Sequence, residues 1–321
     1  MTQKDARVAL VAAGKRLLAG GLVARTWGNL SLRIDDRSMA VTPSGIPYTD
    51  LREDQIVVVD LETGEWAGDW KPSGERKVHR EIYRSRPGVN AVVHTHQNAA
   101  SACAAARVSV PMPWGEVRCA PYALPGTKTL TRVTVEALGD RPGVLMANHG
   151  VFTVGTTMDE AFDRVAQLEK ACADFLEARA AEPLPGRADA VWDQGWVSAL
   201  PLDDGTQALV SQAPFTLAWA RRGLPLGAVL DDLAQLAGRR VKVVTAVPRR
   251  RPKNDVVLVR DRGVVASGPD AEALVLVVEK AARAVLGARG LGGAKAFPGW
   301  EASLMRFVYR QSYSKQAARA R

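Results

Sequence analysis

Two stretches of this chain align without a gap at a spacing of 113 residues: VLMANHGVFTVG at residues 144–155 and VLVRDRGVVASG at residues 257–268. Each reads as an apolar strand and a glycine turn. Each leads into an acidic, helix-forming run ending in a shared Glu-Lys-Ala, at Glu169-Lys170-Ala171 and Glu279-Lys280-Ala281. Two copies mark a duplicated domain; a solenoid needs more. A length of 321 residues has room for two domains at roughly 100–200 residues each. The segment 182–187 (EPLPGR) has the composition of a linker. The expected division is a first domain at 1–185, a degenerate second copy at 195–311 and a basic tail at 312–321. The copies differ most at the turn, where Asn148-His149-Gly150 becomes Asp261-Arg262-Gly263. All four histidines, His79, His94, His96 and His149, lie in the first copy.

Charge divides along the same line. Residues 1–200 carry 23 Lys and Arg against 24 Asp and Glu, whereas residues 201–321 carry 20 against 10. The second half lacks zinc-knuckle cysteines, and its basic residues are not interleaved with aromatics. A solvated basic loop and a frayed tail are the reading, and nucleic acid is not an expected partner. A composition 47% hydrophobic and 24% charged excludes disordered, collagen-like and coiled-coil chains. The longest apolar run, residues 273–278, falls far short of the roughly 20 residues of a membrane helix. The start MTQKDARVAL carries both charge signs and no long apolar core, unlike a secretory signal. Cys103, Cys119 and Cys172, with no CxxC among them, read as buried thiols in a reducing cytoplasm. A cytoplasmic location with no membrane partner is expected.

Pattern and punctuation predict a helix over 5–19 ended by Gly20-Gly21, and short strands at 29–34, 40–42 and 56–60. Ser73 is expected to cap a helix that runs to residue 85, with Pro87 beyond it. A strand follows at 89–96, then an Ala-rich helix at 99–106, a strand at 144–148 and a helix at 159–181. In the strand 89–96, His94 and His96 share a face, so both imidazoles can reach one point. Such a pair offers two nitrogens to a metal, but two surface histidines on an edge strand look the same. His149, at a strand end beside Gly150, adds a third imidazole that suits a three-histidine catalytic zinc site. His79, with Ile82 and Tyr83, reads as a core or supporting histidine. Glu75 is either a carboxylate favoured by a helix N-terminus or a general acid/base beside the metal.

Five motifs stand in order: Thr26-Trp27-Gly28-Asn29-Leu30-Ser31, Thr42-Pro43-Ser44-Gly45-Ile46-Pro47-Tyr48, Pro72-Ser73-Gly74-Glu75 with His79, His94-Thr95-His96 and Asn148-His149-Gly150. Together they resemble the class II (zinc-dependent) aldolase/adducin family over about residues 5–180. The stretch LDDLAQ at 230–235 is similar to bacterial members of the same superfamily. The resemblance implies an α/β fold, three-layer α/β/α with a mainly antiparallel central sheet, plus a degenerate second copy without metal ligands. It implies that His94, His96 and His149 bind one zinc per chain, with Fe²⁺ as the alternative metal. It makes Glu75 the catalytic carboxylate. Gly28, Asn29, Ser44, Gly45, Ser73 and Gly74 then cradle a phosphate through backbone N–H groups and a helix N-terminus. Glu rather than Asp at position 75 argues against the family's epimerases. Ser73-Gly74 replaces a frequent Ser-Ser, which removes one phosphate-binding hydroxyl.

The implied activity is a lyase that cleaves a phosphorylated ketose to dihydroxyacetone phosphate and an aldehyde. The alternatives are dehydration or decarboxylation of a sugar phosphate on the same site, and an adducin-like scaffold without catalysis. A scaffold predicts eroded ligands, and the first copy keeps all of them. The resemblance also implies a homo-oligomer, either a tetramer or a dimer in which the fused copies occupy neighbours' places. The second copy's arginines are expected to add positive charge near the phosphate.

Overall fold

The computed structural model describes residues 1–23, 27–190 and 192–313. Thr26 and residues 314–321 of the expected basic tail lie outside them. In α1 (Gln3–Ala19), the Thr2 side chain accepts from the Asp5 N–H, and Ala6, Leu10, Ala13 and Leu17 form a buried stripe. The first half continues through β1 (Asn29–Arg33), β2 (Ser38–Val41), β3 (Val57–Asp60), α2 (Arg76–Ser85), β4 (Ala91–Thr95) and α3 (Asn98–Ala106). A hairpin of β5 (Val110–Met112) and β6 (Gly115–Val117) leads to β7 (Cys119–Ala120), α4 (Lys128–Leu138), β8 (Gly143–Met146), β9 (Val151–Gly155) and α5 (Met158–Glu177).

Seven of these strands form one sheet in the order β3-β2-β1-β4-β9-β8-β7. Every pair is antiparallel except β7 with β8. Alternation along β4 sends Ala91 and Val93 towards Leu10, Leu17, Phe162 and Val165 of α1 and α5. Val92 faces the other way, with Phe152 and Val154, towards Ile82, Leu130 and Val133 of α2 and α4. Helices therefore cover both faces, which gives the expected three layers. The central β4 and β9 are buried at every position, so neither shows the alternation of a half-exposed strand.

The second half holds β10 (Val197–Pro201), β11 (Gln207–Ser211), α6 (Pro214–Arg221), β12 (Leu226–Gly227), α7 (Asp231–Ala237), β13 (Arg240–Val241) and β14 (Val243–Val244). It ends with β15 (Val256–Val259), β16 (Gly263–Ser267), α8 (Ala271–Gly287) and α9 (Gly299–Val308). Its sheet runs β10-β11-β16-β15-β14. Again only the last pair, β14 with β15, is parallel. That is the order and sense of β1-β4-β9-β8-β7.

The halves share a core. Residues 99–106 of α3 are all buried, and their small side chains let α5 and α8 close in on both sides. One apolar cluster runs from Cys103 and Leu176 to Leu230, Leu274 and Val278. The segment 182–187 leads straight into this packing: buried Arg283 of α8 donates to the carbonyls of Arg187, Ala188 and Ala190.

Several boundaries differ from the sequence reading by a residue or two, and three differences bear on the packing. The helix expected from Ser73 begins at Arg76 with Glu75 as its N-cap; Ser73 Oγ accepts the Glu75 N–H in the turn that leads into it. The strand expected over 144–148 stops at Met146, since Asn148 adopts a positive φ of 63°. The helix expected to residue 181 ends at Glu177, just before Arg179, whose carbonyl packs against Gly290. Cys103 and Cys172 are buried as expected, while Cys119 is only partly so. No helix among the described residues is long and apolar enough to cross a membrane.

Candidate active site

The three expected ligand histidines meet where β4 ends against the turn between β8 and β9. His94 lies at the centre of the sheet, and its Nδ1 is 2.8 Å from the Val151 carbonyl of the paired strand. A carbonyl can only accept, so Nδ1 carries the proton and Nε2 is bare. His96 lies one residue past the end of β4, and its Nδ1 is 2.8 Å from Asp232 Oδ1. A carboxylate likewise takes the Nδ1–H and leaves Nε2 bare. The two Nε2 atoms are 2.9 Å apart, so two lone pairs face each other with no hydrogen between them. His149 Nε2 sits 3.1 Å from Glu75 Oε1 and 3.4 Å from Asp231 Oδ2. Glu75 Oε2 sits 3.0 Å from His94 Nε2, and its buried Oε1 has no hydrogen-bond partner.

The facing lone pairs of His94 and His96, with Glu75 and Asp231 beside them, call for a cation at this point. The donor set, three imidazoles with a carboxylate alongside, fits a divalent metal of the zinc or iron type. His96, Asp231 and Asp232 are also close enough to share an ion. In that group, however, Asp232 already accepts the His96 Nδ1–H and is paired with Lys280 Nζ at 2.6 Å.

The electrostatics report a pocket short of positive charge. Burial alone would lower the His149 pKa, but Asp231 and Glu75 outweigh it and push it up to about 9. Burial would raise Glu75, yet His94 and His149 hold it well below the usual carboxylate range. Burial pushes His96 down to about 3 in spite of Asp232, which keeps its ring neutral. Burial also pushes Asp231 up to about 7, with Asp232 adding to the rise.

Local backbone geometry explains the motif residues. A Cβ on Gly150 would lie 2.4 Å from the Thr95 carbonyl oxygen, so only glycine lets this turn close over β4. Gly28, at φ 76°, lies equally tight against the His94 carbonyl. Asn148 donates to the carbonyls of Val229 and Lys295 and accepts from Arg107 Nε, which pins the His149 turn to the second half. β1 pairs Asn29 with His94, and Asn29 Nδ2 donates to Glu75 Oε2 at 2.8 Å. His79 is the expected supporting histidine. Burial lowers its pKa to about 3, so it is neutral and donates Nε2–H to Asn29 Oδ1. Its Nδ1 accepts from Ser31, whose hydroxyl accepts from Tyr83. The chain from Tyr83 to Glu75 thus fixes which way the Asn29 amide faces.

Gly28, Asn29, Ser44, Gly45, Ser73 and Gly74 all line one cleft of about 290 Å³, together with Glu75, His96 and His149. Two details depart from expectation. The N–H groups of Ser44 and Ser73 donate to the carbonyls of Lys71 and Thr42 rather than into the cleft. No lysine or arginine is among the described residues lining the cleft, so none of the second half's described arginines takes the place expected for them. That half contributes Asp231 and the apolar Leu304, Met305 and Val308 instead. Sequence reasoning gave no role to Asp231, Asp232 or Lys280. The available signal was an Asp-Asp pair inside the otherwise apolar run LGAVLDDLAQLA.

Comparison with known proteins agrees with this geometry. The family model described as the class II aldolase and adducin N-terminal domain matches residues 8–176. The chain is 34% identical over 177 residues to a 5-deoxy-D-ribulose 1-phosphate aldolase of Bacillus thuringiensis serovar kurstaki, covering 53% of this chain and 83% of the relative. It is 36% identical over 186 residues to a 5-methylthioribulose-1-phosphate/5-deoxyribulose-1-phosphate aldolase of Rhodospirillum rubrum, covering 55% and 83%. A solved L-fuculose 1-phosphate aldolase superposes with a TM-score of 0.54 at 31% identity, over 61% of this chain and 93% of that one. The motifs, the three-layer sheet and these matches agree: the chain belongs to the class II aldolase and adducin family.

Proposed function

We propose that this protein is a metal-dependent aldehyde-lyase that cleaves a ketose 1-phosphate to dihydroxyacetone phosphate and an aldehyde. The observation that carries the reading is the convergence of the three imidazoles of His94, His96 and His149 and of Glu75 on a cleft lined by six small or polar loop residues. His94, His96 and His149 would hold one divalent ion, zinc in the first instance. When bound, it supplies Lewis-acid stabilisation of negative charge on the substrate's carbonyl oxygen. Aldol cleavage breaks the C3–C4 bond and moves one proton from the C4 hydroxyl to C3. Glu75 is the carboxylate placed to carry that proton. Asn29 fixes its Oε2, while Oε1 keeps its lone pairs. The Gly28–Asn29, Ser44–Gly45 and Ser73–Gly74 loops take the phosphate. Leu124, Leu304, Met305 and Val308 suit a substrate whose far end is apolar, as in the 5-deoxyribulose 1-phosphate for which the Bacillus relative is named.

Residues 195–311 are, on this reading, a degenerate copy of the catalytic domain. The shared strand order supports it, and so does the turn: Asn148 and Asp261 have φ of 63° and 59°. Gly150 presses on the Thr95 carbonyl as Gly263 presses on that of Ser211. Glu169 accepts from the N–H groups of Ala99 and Ala100 at the start of α3, and Glu279 accepts from that of Thr216 near the start of α6. The exposed Trp300 and Phe307 of α9 support the expected assembly of like chains, which a solution mass measurement would test.

The test of function is an assay of ketose 1-phosphates for released aldehyde. Glu75→Gln should keep its metal and lose about 10²–10⁴-fold in turnover. Near-normal turnover by Glu75→Gln would remove its assigned role. Loss of water or carbon dioxide without aldehyde would replace aldol cleavage by dehydration or decarboxylation.

A further inference from the structure

The imidazole of a metal-bound histidine must be held so that one nitrogen faces the ion. The other nitrogen's hydrogen bond does the holding. The three ligand histidines are held differently. His94 donates to a backbone carbonyl inside the sheet. His149 Nδ1 is buried without a partner. His96 lies beyond the last residue of β4, where no strand ladder fixes it, and its Nδ1–H reaches a side chain from the other half of the protein.

We propose that Asp232 is the positioning residue that aims His96 Nε2 at the metal, and that Lys280 holds Asp232 in place for this task. The proposal rests on the metal-site reading above. Asp232 is fully buried in the first turn of α7. One oxygen accepts from His96 at 2.8 Å, and the other accepts from Lys280 on α8 at 2.6 Å. A lone buried carboxylate is costly, and the ammonium of Lys280 supplies the compensating charge. The start of α7 is itself keyed to the third ligand. Asp231 N–H donates to the Asn148 carbonyl, and Asn148 Nδ2 donates to the Val229 carbonyl. One short helix of the second half thus registers the loops of both His96 and His149. The half without histidines becomes the outer support of the metal site.

The test uses the full chain and two metals. Zinc affinity is measured by competition with a chromophoric chelator, and the ligand set is read from the absorption spectrum of the Co²⁺ form. Asp232→Ala should weaken zinc binding by about 10–100-fold, the usual cost of losing such a partner. Asp232→Asn, which keeps the shape and one acceptor oxygen, should weaken it less. Lys280→Gln should also weaken binding, and should add nothing in the Asp232→Ala background. The Co²⁺ spectra of the variants should keep the wild-type shape. Unchanged affinity in both Asp232 variants would overturn the positioning role while leaving the metal site standing. A Co²⁺ spectrum that loses an oxygen ligand in Asp232→Ala would make Asp232 a direct ligand and also overturn it. If Asp232→Ala does not fold, Asp232→Asn and Lys280→Gln decide the matter. Failure of the wild type to bind either metal would instead overturn the metal-site reading itself.

Discussion

Thr95 pairs with Val151 where β4 meets β9, and Ser211 pairs with Val264 where β11 meets β16. In this register His94 corresponds to Val210, His96 to Gln212 and His149 to Arg262. The three proposed ligand positions carry other residues in the second half, yet the backbone around them is alike: the positive φ, the glycine against a carbonyl and the parallel edge pair. The contrast separates two requirements. The strand–turn–strand unit needs small residues at close approaches and an apolar core. The chemistry needs three imidazoles and one carboxylate, which the fold does not require. What the second half retains is packing surface and, on α7, Asp232, which reaches across to His96 and is itself held by Lys280 of α8.

The largest effect should come from removing that half. A chain ending at residue 190 exposes the faces of α3 and α5 that α8 covers and loses Asp232. It should aggregate or fail to retain metal, as size-exclusion chromatography and metal analysis would show. A monodisperse, fully active fragment would break the comparison.

Next come the two glutamates at equivalent places. Glu279 is paired with buried Arg283, so Glu279→Ala strands a buried cation and should cost about 3–5 kcal/mol. Glu169, which caps α3, should cost about 1–3 kcal/mol when replaced by Ala. Denaturant titration of both variants would rank them. Burial pushes the Glu169 pKa up to about 7. A raised folded-state value gives a stability contribution that is complete below the unfolded pKa and lost as pH rises through about 7. Glu169→Ala should remove that part of the pH dependence.

Gly150→Ala and Gly263→Ala apply one insult to both turns. Each should cost about 1–3 kcal/mol of strain, but only Gly150→Ala should weaken metal binding, because its new methyl also presses on the rings of His94 and His96. The smallest effect belongs to Arg262→His. It restores one of three lost ligands and should add no second metal.

Much of the fold was legible before the structure. The five motifs and the repeat at 144–155 and 257–268 identify the catalytic unit, because close backbone approaches demand glycine and adjacent histidines leave a local signature. The parts that were not legible depend on distance. His96 and Asp232 are 136 residues apart, and Tyr122 is tied to Glu301 over 179 residues. No periodicity reports such contacts. Ser73 looked like a helix cap because its residue type is right for one. Its hydroxyl does accept a nearby N–H, that of Glu75, but the regular helix starts only at Arg76.

The central claim is that the metal belongs to the three imidazoles of the first half, with the second half only supporting them. Anomalous diffraction at the zinc edge from crystals of the full chain tests it most directly. One peak per chain should appear, bounded by the Nε2 atoms of His94, His96 and His149, and it should vanish in His149→Ala. A peak lying instead among His96, Asp231 and Asp232, or a second peak beside Arg262, would contradict the account.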